Sequence, residues 1–334
     1  MRADNRAAMP NPSTPAPRLG LDVYSLRFLN WDALAVLDYC AEQGVKVVHF
    51  SEPRLLGGLD PAHVQRVRQR ADWLELDLEV GMLAIASSSG IFDGSAGTAE
   101  EQLARMIDVA VALRSPLIRC VVGNSFDRRT RGGIDRHIEN ALAALRAARS
   151  RVMDAGLKLA VENHSGDMQS RELKGLIEAA GTDFVGACID SGNAAWALEN
   201  PHDVLETLAP FVLTSHMRDS ALWISPEGIN VEWTRMGEGT VDIARYVRTF
   251  VEKCPGGAVS LEVITHRQRA FDFRDRAFWQ AYPNMSAADF TRFLVLAEQG
   301  PSRLPVAPDL PTTLEDVTAS IEAMREVLAE CSPE

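Results

Sequence analysis

From residue 18 onward the chain repeats one pattern: a short run rich in Val, Ile or Leu, then a longer stretch of helical periodicity. Such alternation calls for parallel strands joined by crossover helices. Strands are expected at 18–25, 45–50, 76–82, 115–123, 157–164, 184–192, 211–219 and 258–265. Helices are expected near 31–43, 60–74, 98–114, 132–155, 170–179, 201–209, 241–253 and 286–298. Eight β-α units close on themselves, so residues 18–300 read as a (β/α)8 TIM barrel of the α/β class, and 334 residues suffice for one such domain. An open doubly wound sheet would announce a dinucleotide site by GxGxxG after its first strand. Here SLRFLNWD follows that strand, and Gly237-Glu238-Gly239 lacks the third glycine.

The ends read differently. Residues 1–17, MRADNRAAMPNPSTPAP, contain four prolines and no apolar run, which predicts a flexible leader rather than a secretory signal. Residues 301–334 read as a proline-rich connector and an amphipathic helix near 314–330 that packs on the barrel or on a neighbouring subunit. No stretch approaches the ~18 consecutive apolar residues that cross a bilayer. A net charge of −12 opposes binding to phosphate backbones, so no nucleic-acid partner is expected, and no membrane. The five cysteines are odd in number, scattered and without a CxxC pair, unlike a disulfide framework or a structural zinc site. A reduced, cytoplasmic location is the expectation.

In a barrel of this kind the functional groups sit at the carboxyl ends of the strands. Four successive strands carry charged groups there: Glu162 in LAVENH, Asp190 in GACIDSG, His216 in VLTSHMRD and Glu262 in VSLEVIT. Each interrupts an apolar run, where a charge is costly unless it is paired or metal-bound. Three carboxylates converging on one mouth would repel one another unless a cation neutralised them. Three oxygen donors and one neutral imidazole favour Mn2+ or Mg2+, with Co2+, Fe2+ or Zn2+ also able to bind.

The motifs VENH, IDSGN, SHMRD and LEVI, with GEGTVD at 237–242, resemble those of the sugar phosphate isomerase/epimerase group, the xylose isomerase-like TIM barrels. The resemblance spans roughly residues 18–300. It implies that Glu162, Asp190, His216 and Glu262 hold the metal, that Arg218 contacts a substrate oxygen, and that the protein forms a homodimer or homotetramer. The group includes epimerases, isomerases, dehydratases, decarboxylases and lyases. Endonuclease IV-type repair enzymes share the architecture but need more histidines, one of them where this chain has Asn193.

The chemistry expected is that of a metal-stabilised enediolate, with Glu162 and Glu262 removing and returning a proton in the isomerisation or epimerisation of a small keto-sugar or hydroxy-keto acid. A lyase acting on an oxidised sugar or sugar acid is the alternative. A sugar-binding protein without catalysis would have had no need to retain all four residues. The four lysines lie away from the expected mouth, against a Schiff-base mechanism, and HSGD at 164–167 lacks a nucleophile elbow. His49, Glu52, His164, Asn193 and Arg218 are the candidates for contact with substrate, and His266, like His49, Glu52 and His164, could hydrogen-bond a substrate hydroxyl or orient a ligand. The insertion 264–284, rich in arginine and aromatics, reads as a lid or an interface.

Overall fold

The computed structural model describes residues 17–301, 303 and 310–331. Apart from Pro17, the expected leader lies outside the described residues, as does most of the proline-rich connector. The strands are β1 (Arg18–Asp22), β2 (Val47–Phe50), β3 (Asp77–Ala84), β4 (Leu117–Val121), β5 (Lys158–Glu162), β6 (Val185–Asp190), β7 (Val212–His216), β8 (Asp219–Ser225), β9 (Gly228–Thr234), β10 (Ala258–Leu261) and β11 (Arg267–Phe271). Eight of them form one parallel sheet in the order β10-β1-β2-β3-β4-β5-β6-β7. Met217 closes it by bridging to Leu261: its amide donates to Ser260 O at 2.6 Å, and its carbonyl accepts from the Glu262 amide at 3.1 Å. Strands covered on both faces need apolar residues at nearly every position, which is why these segments read as continuous apolar runs.

The surrounding helices are α1 (Ala33–Glu42), α2 (Pro53–Leu56), α3 (Pro61–Trp73), α4 (Ala99–Leu113), α5 (Gly133–Asp154), α6 (Ser170–Ala180), α7 (Ser191–Trp196), α8 (Pro201–Leu208), α9 (Ile243–Lys253), α10 (Ala287–Gln299) and α11 (Leu314–Cys331). Their starts follow local chemistry. The carboxylates of Asp32, Asp60 and Asp242 accept from the first-turn amides of α1, α3 and α9, and Thr98 and Glu101 close a capping box on α4. Val317, Ile321, Met324 and Leu328 of α11 join the main core, and Tyr39 Oη and Thr318 Oγ1 meet at 3.1 Å. Among the described residues no helix is long and apolar enough to cross a membrane.

The expected strand 211–219 ends early. It stops at His216, because Met217 pairs across the closing seam and Asp219 enters a second sheet. That sheet is antiparallel, in the order β11-β9-β8, and sequence reading did not anticipate its hairpin at 219–234. Within the insertion 264–284, Arg267–Phe271 pairs with β9 as the third strand. Leu222, Ile229, Val231, Phe271, Phe278 and Phe293 make a separate core beneath it. This small sheet follows the carboxyl ends of β7 and β10 and so stands beside the mouth of the barrel.

Candidate metal centre

β5, β6 and β7 deliver Glu162, Asp190 and His216 as their final residues, and Glu262 follows β10 directly. Parallel pairing in register aligns these ends: Glu162 lies beside Cys188, and Asp190 beside His216. One donor atom from each of Glu162, Asp190, His216 and Glu262 lies within 4.8 Å of every other, all four being buried. His216 Nδ1 lies 3.0 Å from Glu162 Oε2 and 3.1 Å from Glu262 Oε2. Despite these distances His216 Nδ1 makes no well-directed hydrogen bond, and the same holds for Asp190 Oδ2. Two buried atoms that face one small volume and lack a well-directed hydrogen bond fit a shared cation, because native proteins seldom leave such groups so.

The charges around the cluster are arranged to the same end. Burial pushes the Glu162 carboxyl up, yet Arg119 and His216 overcome it and hold Glu162 well below the usual carboxylate range. Burial is likewise overcome at Glu262, by Arg218 and His216. Asp190 is raised to about 7 by burial, against the pull of Arg218. For His216, burial opposes the charged ring, but Glu162 and Asp22 outweigh it and hold the imidazole well above its usual value. Without a cation, a proton on His216 balances the carboxylates; a divalent ion would replace that charge and take the Nδ1 lone pair.

The residues behind the cluster fix its orientation. His216 Nε2 is 3.0 Å from His49 Nδ1, and His49 Nδ1 is 3.5 Å from Glu79 Oε2, which accepts from Thr214 Oγ1 at 2.7 Å. Burial, then His216 and Arg119, hold His49 well below its usual value and therefore neutral. A neutral His49 can accept from His216 Nε2, leaving Nδ1 free as a ligand, the tautomer-setting partner that metal-bound histidines require. Asn193 Nδ2 donates to Glu162 Oε1 at 3.0 Å, and its Oδ1 accepts from Arg218 Nη1 at 3.0 Å. Arg218 also bonds Glu262 and lies 3.2 Å from Asp190 Oδ2. Gly192 makes room for it: a Cβ there would fall 2.7 Å from Arg218 Cβ.

A cavity of about 450 Å3 opens above Glu262. Of the residues expected to meet substrate, Glu52, His164 and Arg218 line it, whereas His49 and Asn193 are buried against the cluster, with partners among its members. Glu52 pairs with Arg54, and His164 Nδ1 is tied to Gly123 O at 2.7 Å. His266 lies outside the cluster, 3.9 Å from Glu232. Trp196 and Trp233 stack at 3.9 Å between ring centres on one wall, and the Arg218 guanidinium lies over Trp233 at 4.2 Å.

Several residues escaped sequence reading. Arg119 of β4 donates to Glu162 Oε2 at 2.6 Å and lines the cavity; Glu79 of β3 and Asp22 of β1 stand behind His49 and His216. Each interrupts an apolar strand, in LIRCV, LDLEV and LGLD, the same signal that exposed the four ligands. Arg27 and Arg267 also line the cavity and have no carboxylate partner among the described residues. Cys188 Sγ lies 3.9 Å from Glu162 Oε2, but burial and Glu162 hold it well above its usual value, so it stays a thiol unsuited to a hard cation.

Comparison with known proteins agrees with this architecture. The family model of the xylose isomerase-like TIM barrel matches residues 37–281. The 3-oxo-isoapionate decarboxylase of Pectobacterium atrosepticum is 27% identical over 213 residues, 62% of this chain and 69% of that protein. D-psicose 3-epimerase of Clostridium cellulolyticum superposes with a TM-score of 0.62 at 12% identity, covering 93% of this chain and 99% of its own. The IolI protein, solved with a zinc atom, superposes with a TM-score of 0.62 at 11% identity, covering 95% and 100%. With a model match over most of its barrel, the chain belongs to the xylose isomerase-like TIM barrel family.

Proposed function

We propose that this protein is a divalent-metal-dependent lyase that decarboxylates a small oxo sugar acid. The observation that carries the reading is the pairing of a four-ligand cluster with a cavity lined by Arg27 and Arg267, guanidiniums without an ion-paired carboxylate among the described residues. Arg27 is lowered from its ordinary value first by burial, which Tyr24 and the more distant Glu262 offset only in part and to which neighbouring Arg218 and Arg267 add. A substrate carboxylate would relieve this clustering, and guanidinium groups match its planar geometry. The 3-oxo-isoapionate decarboxylase among the relatives is consistent with such a substrate.

Glu162, Asp190, His216 and Glu262 would hold Mn2+ or Mg2+ in preference to softer ions, the donor set being mostly oxygen. When bound, the ion supplies Lewis-acid polarisation of a substrate carbonyl, which favours loss of a neighbouring carboxylate as CO2. The chain's own groups do the remainder. Arg27 and Arg267 bind and orient the carboxylate, and Trp196 and Trp233 form an apolar wall that keeps water from the reacting face. Arg119 and Asn193 keep Glu162 ionised and fixed, which suits a ligand better than a proton-abstracting base. Decarboxylation generates its carbanion without such a base.

Isomerisation or epimerisation of a keto-sugar is the second reading. It is favoured by the placement of Glu162 and Glu262 about the same His216 nitrogen, an arrangement that could take a proton from one face and return it at another. The two separate by product mass. Metal-loaded protein is incubated in heavy water with a panel of oxo sugar acids and neutral keto-sugars. Release of CO2 with deuterium at the vacated carbon supports the decarboxylase; deuterium in a product of unchanged skeleton overturns it in favour of epimerisation.

A further inference from the structure

A second cavity, of about 630 Å3, lies beside the metal pocket, between the loop after β4 and the segment containing β11. The two cavities share a wall. Trp196 and Ser165 line the metal pocket, while Arg269, over the Trp196 ring at 5.4 Å, and Ser125, whose amide donates to Ser165 O at 3.1 Å, line the second. Arg267, Arg269 and Phe271 alternate along β11 and so share one face, which runs from the first cavity to the second.

The guanidinium of Arg269 is half-buried, stacked on Trp196 and on Phe271 at 5.2 Å, and has no hydrogen-bond or carboxylate partner among the described residues. Arg129, also lining the cavity, has no ion pair among the described residues either. Burial lowers the affinity of Arg269 for its proton, and Arg129 lowers it further. Arg128 is different, because Glu172, Gly166 O and Ala281 O satisfy it. The acids at this cavity are turned to their own loop: Asp272 accepts from the Arg274 amide and Asp275 from the Ala277 amide. Two adjacent cations, one stripped of much of its water and neither neutralised, form an arrangement that an anion stabilises.

We infer that this second cavity binds an anionic group, a carboxylate or phosphate, held by Arg269 and Arg129 across the Trp196 wall from the metal centre. The group is either the far end of an extended substrate or a separate small anion. The inference does not depend on the reaction carried out at the metal.

Inorganic phosphate is the probe, titrated by calorimetry into the full-length protein and into R269Q, R269K, R129Q and R27Q, with melting temperatures as the control for folding. Saturable binding is expected, weakened about tenfold by R269Q, as loss of one charge-assisted contact implies, and about threefold by the exposed R129Q. R269K retains most of it, and R27Q keeps the site that R269Q weakens, losing only such phosphate as binds at Arg27 itself in the other cavity. Absence of saturable binding, wild-type binding by R269Q and R129Q, or loss in R27Q alone would each overturn the inference. Where binding is found, competition with substrate that R269Q relieves places the far end of the substrate there; phosphate that binds at Arg269 without competing identifies a separate ion.

Discussion

Replacing Arg119 with methionine separates a structural ion pair from one built to share its carboxylate with a metal. Arg119 Nε lies 2.6 Å from Glu162 Oε2, with the side chains 3% and 0% exposed. Methionine keeps most of the volume and leaves the carboxylate buried without its closest cation. Removing one partner of a buried pair costs about 3–5 kcal/mol. At about 2 °C per kcal/mol, the low end for domains of about 150–250 residues and an upper figure for this longer chain, the metal-free variant should melt up to about 6–10 °C below wild type. A divalent ion on Glu162 replaces the missing charge, so saturating Mn2+ should shrink the difference to that of one lost hydrogen bond, about 1–3 kcal/mol. The double variant R119M/E162Q, which removes the stranded charge, should recover most of the loss without metal. Scanning calorimetry in chelator and in Mn2+ reads all three. Equal melting temperatures for wild type and R119M in chelator, or an unchanged difference on adding Mn2+, would refute the reasoning.

Other consequences follow from the same geometry. Gly192→Ala places a Cβ 2.7 Å from Arg218 Cβ, so overpacking should lower stability by about 1–3 kcal/mol and displace Arg218, which denaturant titration and turnover would register together. R27Q and R267Q should each raise KM for an oxo sugar acid about tenfold or more while leaving affinity for a neutral keto-sugar unaltered, a contrast measured by steady-state kinetics. Burial raises Asp167 to about 8, and Glu199 and Asp219 to about 7. A carboxyl raised on folding contributes stability that is present below its unfolded value and lost as pH climbs through the folded one. Melting temperature of metal-free protein should therefore fall from pH 5 to pH 8; a rise over that window would contradict the assignment.

The barrel was legible because its strands are covered on both faces: each had to be an apolar run, and several helices carry their own caps, as Thr98 and Glu101 show for α4. The four ligands were legible as charges breaking such runs. Arg119, Glu79 and Asp22 break theirs in the same way, but single polar residues on separate strands give no hint of their partners until β4 pairs with β5 and closure of the barrel sets β1 and β3 across its interior from β7. The antiparallel sheet stayed hidden for another reason. β8 and β9 are buried along most of their length by the aromatic core of Phe271, Phe278 and Phe293, so their pattern lacks the polar alternation that marks a hairpin. In the sequence Arg267 and Arg269 read only as part of a basic, aromatic insertion; that they share one face of β11 while lining successive cavities along it follows from the pairing of β11 with β9.

The central claim is that Glu162, Asp190, His216 and Glu262 form a divalent-metal centre. Metal analysis of the purified protein beside a Glu162→Gln, His216→Ala double variant tests it most directly. About one equivalent of a divalent ion per chain is expected in the native protein, with loss in the variant, since removing ligands removes the site. A native protein that holds no divalent ion, even after reconstitution with Mn2+, Mg2+, Co2+, Fe2+ or Zn2+, would contradict it.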